Sequence, residues 1–167
     1  MGLLGVKVDI VWFKRDFRLE DHAPINEVAT SNNNFLGIFV IEPSRLREND
    51  TDPIHIDWEI QCAVELQSRI RELGGEMLIL HDEIIDVFVK LSKEYQISNI
   101  YSHEEIGTEW SYKRDIQFGE WCKSRELNWK EFPTNAVVRR LNNRDNWYKL
   151  RTERLMEDII PSPNQLK

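Results

Sequence analysis

The feature that most limits how this chain can fold is a strict alternation of short apolar runs with longer amphipathic ones. Five runs, at 8–13, 35–41, 77–80, 97–103 and 129–132, are dense in β-branched and aromatic residues. Runs of that length and composition read as strands buried on both faces of a sheet. The segments between them carry helix punctuation. Asp52-Pro53 supplies an N-cap and a pre-set first turn; a stripe of Ile56, Ile60, Ala63, Ile70 and Leu73 follows, and Gly74-Gly75 ends it. Asp82 precedes a second stripe of Ile84, Val87, Phe88, Leu91 and Tyr95, and Thr108 can cap a helix running to about Leu127. A last helical stretch is read over 145–158. Strand and helix in alternation give βαβ units with right-handed crossovers. The predicted fold is α/β: a doubly wound, Rossmann-like five-stranded parallel sheet with helices on both faces.

A length of 167 residues suits one domain with a substantial core, and 41% hydrophobic with 31% charged residues is ordinary for a soluble globular protein. No apolar run approaches the roughly 20 residues of a membrane span. The first residues, Met1 to Lys7, lack the segments of a signal peptide. Cys62 and Cys122 both fall in helical patterns and read as buried free thiols. A cytoplasmic location is the expectation. The total charge of −7 argues against nucleic acid binding over the whole surface. Between Arg139 and Arg154, however, six cations face only Asp145 and Glu153, a local +4 that leaves −11 for the rest. Within it, Arg139, Arg140, Arg144 and Trp147 combine planar forks with an aromatic anchor. That combination suits phosphate contact or the docking of a neighbouring domain, with a solvated charged face as the alternative.

Ligands of an open α/β sheet bind at the carboxyl ends of the strands, where the strand order reverses. The usual order puts the first and fourth strands side by side. Their loops would bring together Lys14, Arg15, Asp16, Arg18 and Asp21 from one and His103, Glu104, Glu105 and Thr108 from the other, with Glu42 nearby. The first loop has no glycine, so it is built to hold a polar planar group with side chains rather than a pyrophosphate with backbone. The bland alternative is that Arg15, Asp16, Arg18 and Asp21 pair among themselves to fix the turn. His22, His55, His81 and His103 have no metal-like spacing, and no nucleophile elbow or Walker sequence is present. The six tryptophans read as core or interface residues.

The run Trp12-Phe13-Lys14-Arg15-Asp16-Phe17-Arg18-Leu19-Glu20-Asp21 resembles the opening signature of the DNA photolyase and cryptochrome family. The resemblance continues through Ile38 to Pro43, Leu73-Gly74-Gly75, Tyr101 to Glu105 and Lys113-Arg114-Asp115. It extends to Phe132 to Leu141 and Arg144 to Trp147, which are similar to a bacterial photolyase-related branch. Phe17 departs from the usual Leu, and the fourth-strand loop lacks the common Asn. The resemblance implies an α/β antenna domain over 1–135, a basic connecting segment with a helix over 136–160, and a 161–167 linker leading away. It implies a folate or deazaflavin antenna held by Trp12, Phe13, Lys14, Asp16, Arg18, Glu42, Glu104, Glu105 and Thr108. FAD and the surface for damaged DNA would belong to a separate helical domain, docked through Arg139, Arg140, Arg144 and Trp147. The parent protein would perform light-driven DNA repair or blue-light signalling, and this chain alone would be inactive. An interaction module without chromophore is the second reading; a small-molecule enzyme, lacking phosphate loops, is the third.

Overall fold

The computed structural model describes residues 5–139, 141 and 143–167. Five strands, β1 (Lys7–Phe13), β2 (Asn34–Ile41), β3 (Glu76–His81), β4 (Gln96–His103) and β5 (Asn128–Phe132), form one parallel sheet in the order β3-β2-β1-β4-β5. The order reverses between β1 and β4, which are hydrogen-bonded neighbours, so the anticipated switch point is present.

Alternation along β1 divides the interior in two. Val8, Ile10 and Trp12 face one side, packed against α4 (Ile84–Glu94) and α5 (Glu109–Ser124) through Val87, Phe88 and Phe118. Val11 and Phe13 face the other, against α1 (Ala23–Ala29) and α3 (Pro53–Glu72) through Ile25, Ala63 and Ile70. Trp12 and Phe13 are 1% and 0% exposed. Both are therefore core residues, and neither is available to a ligand: this corrects the reading that placed them in an antenna site. Close approach fixes Gly37 on β2, where a Cβ would meet Met77 Cγ and Phe13 Cε2 at 3.1 Å.

Helix boundaries follow local chemistry. Asp52 caps α3 by accepting from the Ile54 N–H, and Thr108 caps α5 by accepting from Ser111. A short helix α2 (Pro43–Leu46) has no sequence forecast. The cap of α1 is His22, whose Nδ1 accepts from the Ile25 N–H at 3.2 Å. The last helix, α6 (Trp147–Leu155), is shorter than 145–158 and buries no residue. Among the described residues no helix is long and apolar enough to cross a membrane.

The segment 161–167 does not lead away from the domain. Ile160 accepts from the Asp21 N–H at 2.7 Å, Leu166 donates to Leu73 at 2.7 Å, and the Lys167 carbonyl accepts from Phe35 at 2.6 Å. Leu166 is 2% exposed and belongs to the α1/α3 core. The physical reason is the glycine pair: Gly74, at φ +89°, and Gly75 leave the space into which Leu166 packs. The segment is a strap tied at both ends of the sheet.

Candidate functional site at the carboxyl edge

The loops after β1 and β4 meet over the switch point, and Lys14, Asp16, Arg18, Glu104 and Glu105 line one opening of about 230 Å³. The two segments thus converge as the topology requires. Most of the charge in this opening is already engaged. Lys14 Nζ lies 2.9 Å from Asp115 Oδ2 and 3.7 Å from Glu131 Oε1. Arg114, on α5, donates to Glu42 at 3.0 Å, to Asp115 at 2.9 Å and to Glu105. Arg15 also donates to Glu105, and Arg139 holds Glu131 at 3.0 Å. Both cations sit over the buried Trp12 ring, Lys14 at 4.6 Å and Arg114 at 4.7 Å from its centroid. The electrostatics match this closure. Burial alone would raise the Glu105 carboxyl, but Arg114, the Arg15 hydrogen bond and Lys14 bring it down to about 2. Burial dominates at Glu42 and pushes its carboxyl up despite Arg114. Burial would strip the Arg114 proton, yet Glu105, Asp115 and Glu42 hold it firmly charged.

Part of the structural alternative holds as well. Arg18 donates to the Asp21 carbonyl through Nε at 3.1 Å and Nη2 at 2.9 Å, steadying a residue at φ +51°. Asp16 instead turns inward. Its Oδ1 accepts from the Lys14 N–H at 2.8 Å, and Oδ2 accepts from His22 Nε2 at 2.9 Å and His103 Nδ1 at 2.6 Å. Burial opposes ionisation of Asp16, but the two imidazole hydrogen bonds outweigh it and keep the carboxylate charged. Burial lowers His22, which stays neutral.

Three possible metal ligands therefore converge, within 4.8 Å of one another, although their sequence spacing gives no hint of it. Hydrogen bonding assigns them another role. His22 Nδ1 is occupied as the acceptor of the α1 cap, so its proton is on Nε2, where a metal would bind.

The remaining predicted residues lie apart. Glu42 borders a cavity of about 390 Å³ with Glu83, Trp110 and Arg114. Thr108 sits on the rim of a third cleft, of about 330 Å³, whose walls include Arg15, Arg45, His55, Trp58 and Trp110. Trp110 is pinned there by its Nε1–H on Ser44 Oγ at 3.1 Å, with the Arg114 guanidinium 4.9 Å from its centroid. Trp58 is 68% exposed, which corrects the core reading for that tryptophan. Arg45 lies across Glu59 in a two-pronged pair at 2.7 Å. Of the docking residues, Arg139 is spent on Glu131, whereas Arg144 and Trp147 are exposed. Arg140 lies outside the described residues. Sequence reasoning named His103 in the crevice without giving it a role, and missed His22, Arg114, Asp115 and Trp58 as site residues. Lys113-Arg114-Asp115 was visible as a motif; its role needed the fold.

Comparison with known proteins agrees with this architecture. Cryptochrome DASH of Gloeobacter violaceus is 22% identical over 68% of this chain and 24% of its own length. The deoxyribodipyrimidine photo-lyase of Synechococcus is 25% identical over 58% of this chain and 20% of its own. The chain thus spans about a quarter or less of these curated relatives. Among solved structures, an archaeal photolyase from Sulfolobus tokodaii superposes with a TM-score of 0.75 at 19% identity, covering 96% of this chain and 38% of that one. A Synechocystis cryptochrome gives 0.76 at 17% identity, over 96% and 36%. The family model described as DNA photolyase matches residues 9–151, most of the molecule. By that match, carried on the fold just described, the chain belongs to the DNA photolyase family.

Proposed function

We propose that this domain holds a planar light-harvesting chromophore in the cleft between Trp58 and Trp110, as part of a protein performing light-driven DNA repair or blue-light signalling. The observation that carries this reading is the bare Trp58 indole on the wall of a cleft of about 330 Å³. A ring that large left in water is an unused apolar surface, and a flat aromatic ligand would cover it. The same walls carry both signs of charge, Arg15, Arg45 and His55 with Glu48, Asp50 and Glu59, and suit a ring system that offers both hydrogen-bond donors and carbonyls. Of the ion-paired groups around Arg114, Arg15 alone lines the cleft, and the others would not touch the chromophore. Their part is to hold Trp110 and the loop after β4 in one position, because energy transfer depends on distance and orientation.

A reduced folate, a deazaflavin or a flavin fits this description. The Sulfolobus tokodaii photolyase, solved with two FAD molecules and an implied novel light-harvesting cofactor, adds support for the last of these. When bound, the group would supply light absorption and nothing covalent. A helical FAD-binding domain would dock against the exposed α6 side, around Arg144 and Trp147, and damaged DNA would be met only there. The test is the absorption spectrum of the purified domain before and after incubation with each of the three compounds. A near-ultraviolet or visible band that survives gel filtration is expected with one of them. Failure of all three to be retained would overturn the reading.

A further inference from the structure

The cleft between Trp58 and Trp110 carries both signs of charge, but the two signs are not equally engaged. Each arginine on its walls already has a carboxylate: Arg45 holds both oxygens of Glu59 at 2.7 Å, and Arg15 donates to Glu105. Glu48 and Asp50, on the same walls, are exposed and form no ion pair among the described residues. His55 is the remaining basic wall residue, against those two carboxylates.

The neighbouring cavity of about 390 Å³ continues the sign. Glu48 and Trp110 border both spaces, and beyond them Glu42, Glu83 and Glu109 outnumber Lys113 and Arg114. Lys113 is taken by Glu109 at 2.7 Å, and Arg114 by Glu42, Glu105 and Asp115. An incoming anion must therefore displace a carboxylate from its cation or lie beside Glu48 and Asp50, and both are unfavourable. A cleft of about 330 Å³ is near the lower end for a ligand pocket, so a fused ring system fills it and a chain carried by the ring reaches the rim.

Resting on the assignment of a flat chromophore to this cleft, we infer that the site selects its ligand at the tail. An uncharged, hydroxyl-bearing chain is accepted, and a phosphate or carboxylate chain is rejected by Glu48 and Asp50. Hydroxyls donate to those carboxylates while the arginines keep their partners. A tricyclic ring with a polyol tail is thus preferred over the same ring with a phosphorylated one.

Fluorescence titration of the full chain with lumiflavin, riboflavin and FMN tests this, since the three share a ring and differ in having no tail, a polyol tail and a phosphorylated tail. Riboflavin is expected to bind about tenfold more tightly than FMN at low salt, with the gap narrowing as salt screens the carboxylates. The double change Glu48→Gln with Asp50→Asn, at two exposed positions, should narrow it as well. FMN binding as tightly as riboflavin, or a gap untouched by the double change, would overturn the inference, while retention of lumiflavin would leave the cleft assignment standing. Rejection of all three compounds would overturn the inference together with a flavin in the cleft.

Discussion

The two halves of the carboxyl edge use similar residues to opposite ends. Around Arg114, three buried carboxylates and a buried lysine form one network over Trp12, with the half-exposed Arg15 at its edge. Around Trp58 and Trp110, arginines and a histidine border a cleft whose larger apolar wall faces water. A charged residue at a switch point is thus no guide to binding by itself. What separates the two halves is the aromatic surface: Trp12 is covered by the chain's own cations, whereas Trp58 is left in water, and the second half is the proposed ligand seat.

The sharpest way to break this comparison is to remove the central cation. Arg114→Ala strands Glu42, Glu105 and Asp115 with too little counter-charge, and is expected to lower stability by about 3–5 kcal/mol in urea denaturation. A loss under about 1 kcal/mol would mean the network is solvated and the scaffold reading wrong.

Acid sharpens the same point. His22 is held below its ordinary 6.5, so the unfolded chain takes up that proton first, and stability should fall as pH drops below 6.5. Glu105, at about 2 against an ordinary 4.5, adds a second loss as pH falls from 4.5 towards 2, where its folded-state advantage ends. Asp16, also depressed, acts in the same direction. A denaturation series from pH 8 to 3 should show stability level above 7 and declining in two stages; a rise on acidification would contradict it. The smallest effect belongs to the cleft. Trp58→Ala should change stability by no more than about 0.5 kcal/mol, since an exposed ring gives up little packing. A larger loss would return Trp58 to a structural role.

Strands, helix stripes and the β1–β4 neighbourhood were legible because burial on two faces leaves a periodic trace, and the switch point follows from topology. The convergence of Arg18 and Glu105 on one opening was legible for the same reason. Partner choice was not. Arg114 stands in a helix among Tyr112, Lys113 and Asp115, where a charge reads as solvated; its burial arises only when α5 packs beside Trp12 and Trp110. His22 carries no recognised cap signal, and its link to His103 spans 81 positions through a shared oxygen of Asp16. Trp58 looked like core because aromatic residues usually are, and only the phase of α3 turns it outward. Leu166, a lone apolar residue after Pro161-Ser162-Pro163, has no period to announce that it is buried.

The central claim is tested most directly by titrating one retained chromophore into the unmodified protein, Trp58→Ala and Glu105→Gln, with tryptophan fluorescence as the readout. The account predicts that Trp58→Ala loses about tenfold or more in affinity at unchanged stability, as expected for a lost aromatic stack of roughly 1–2 kcal/mol, while Glu105→Gln loses stability and binds nearly normally. The reverse pattern, with binding lost on changing Glu105 and kept on changing Trp58, would place the ligand in the charged crevice and contradict it.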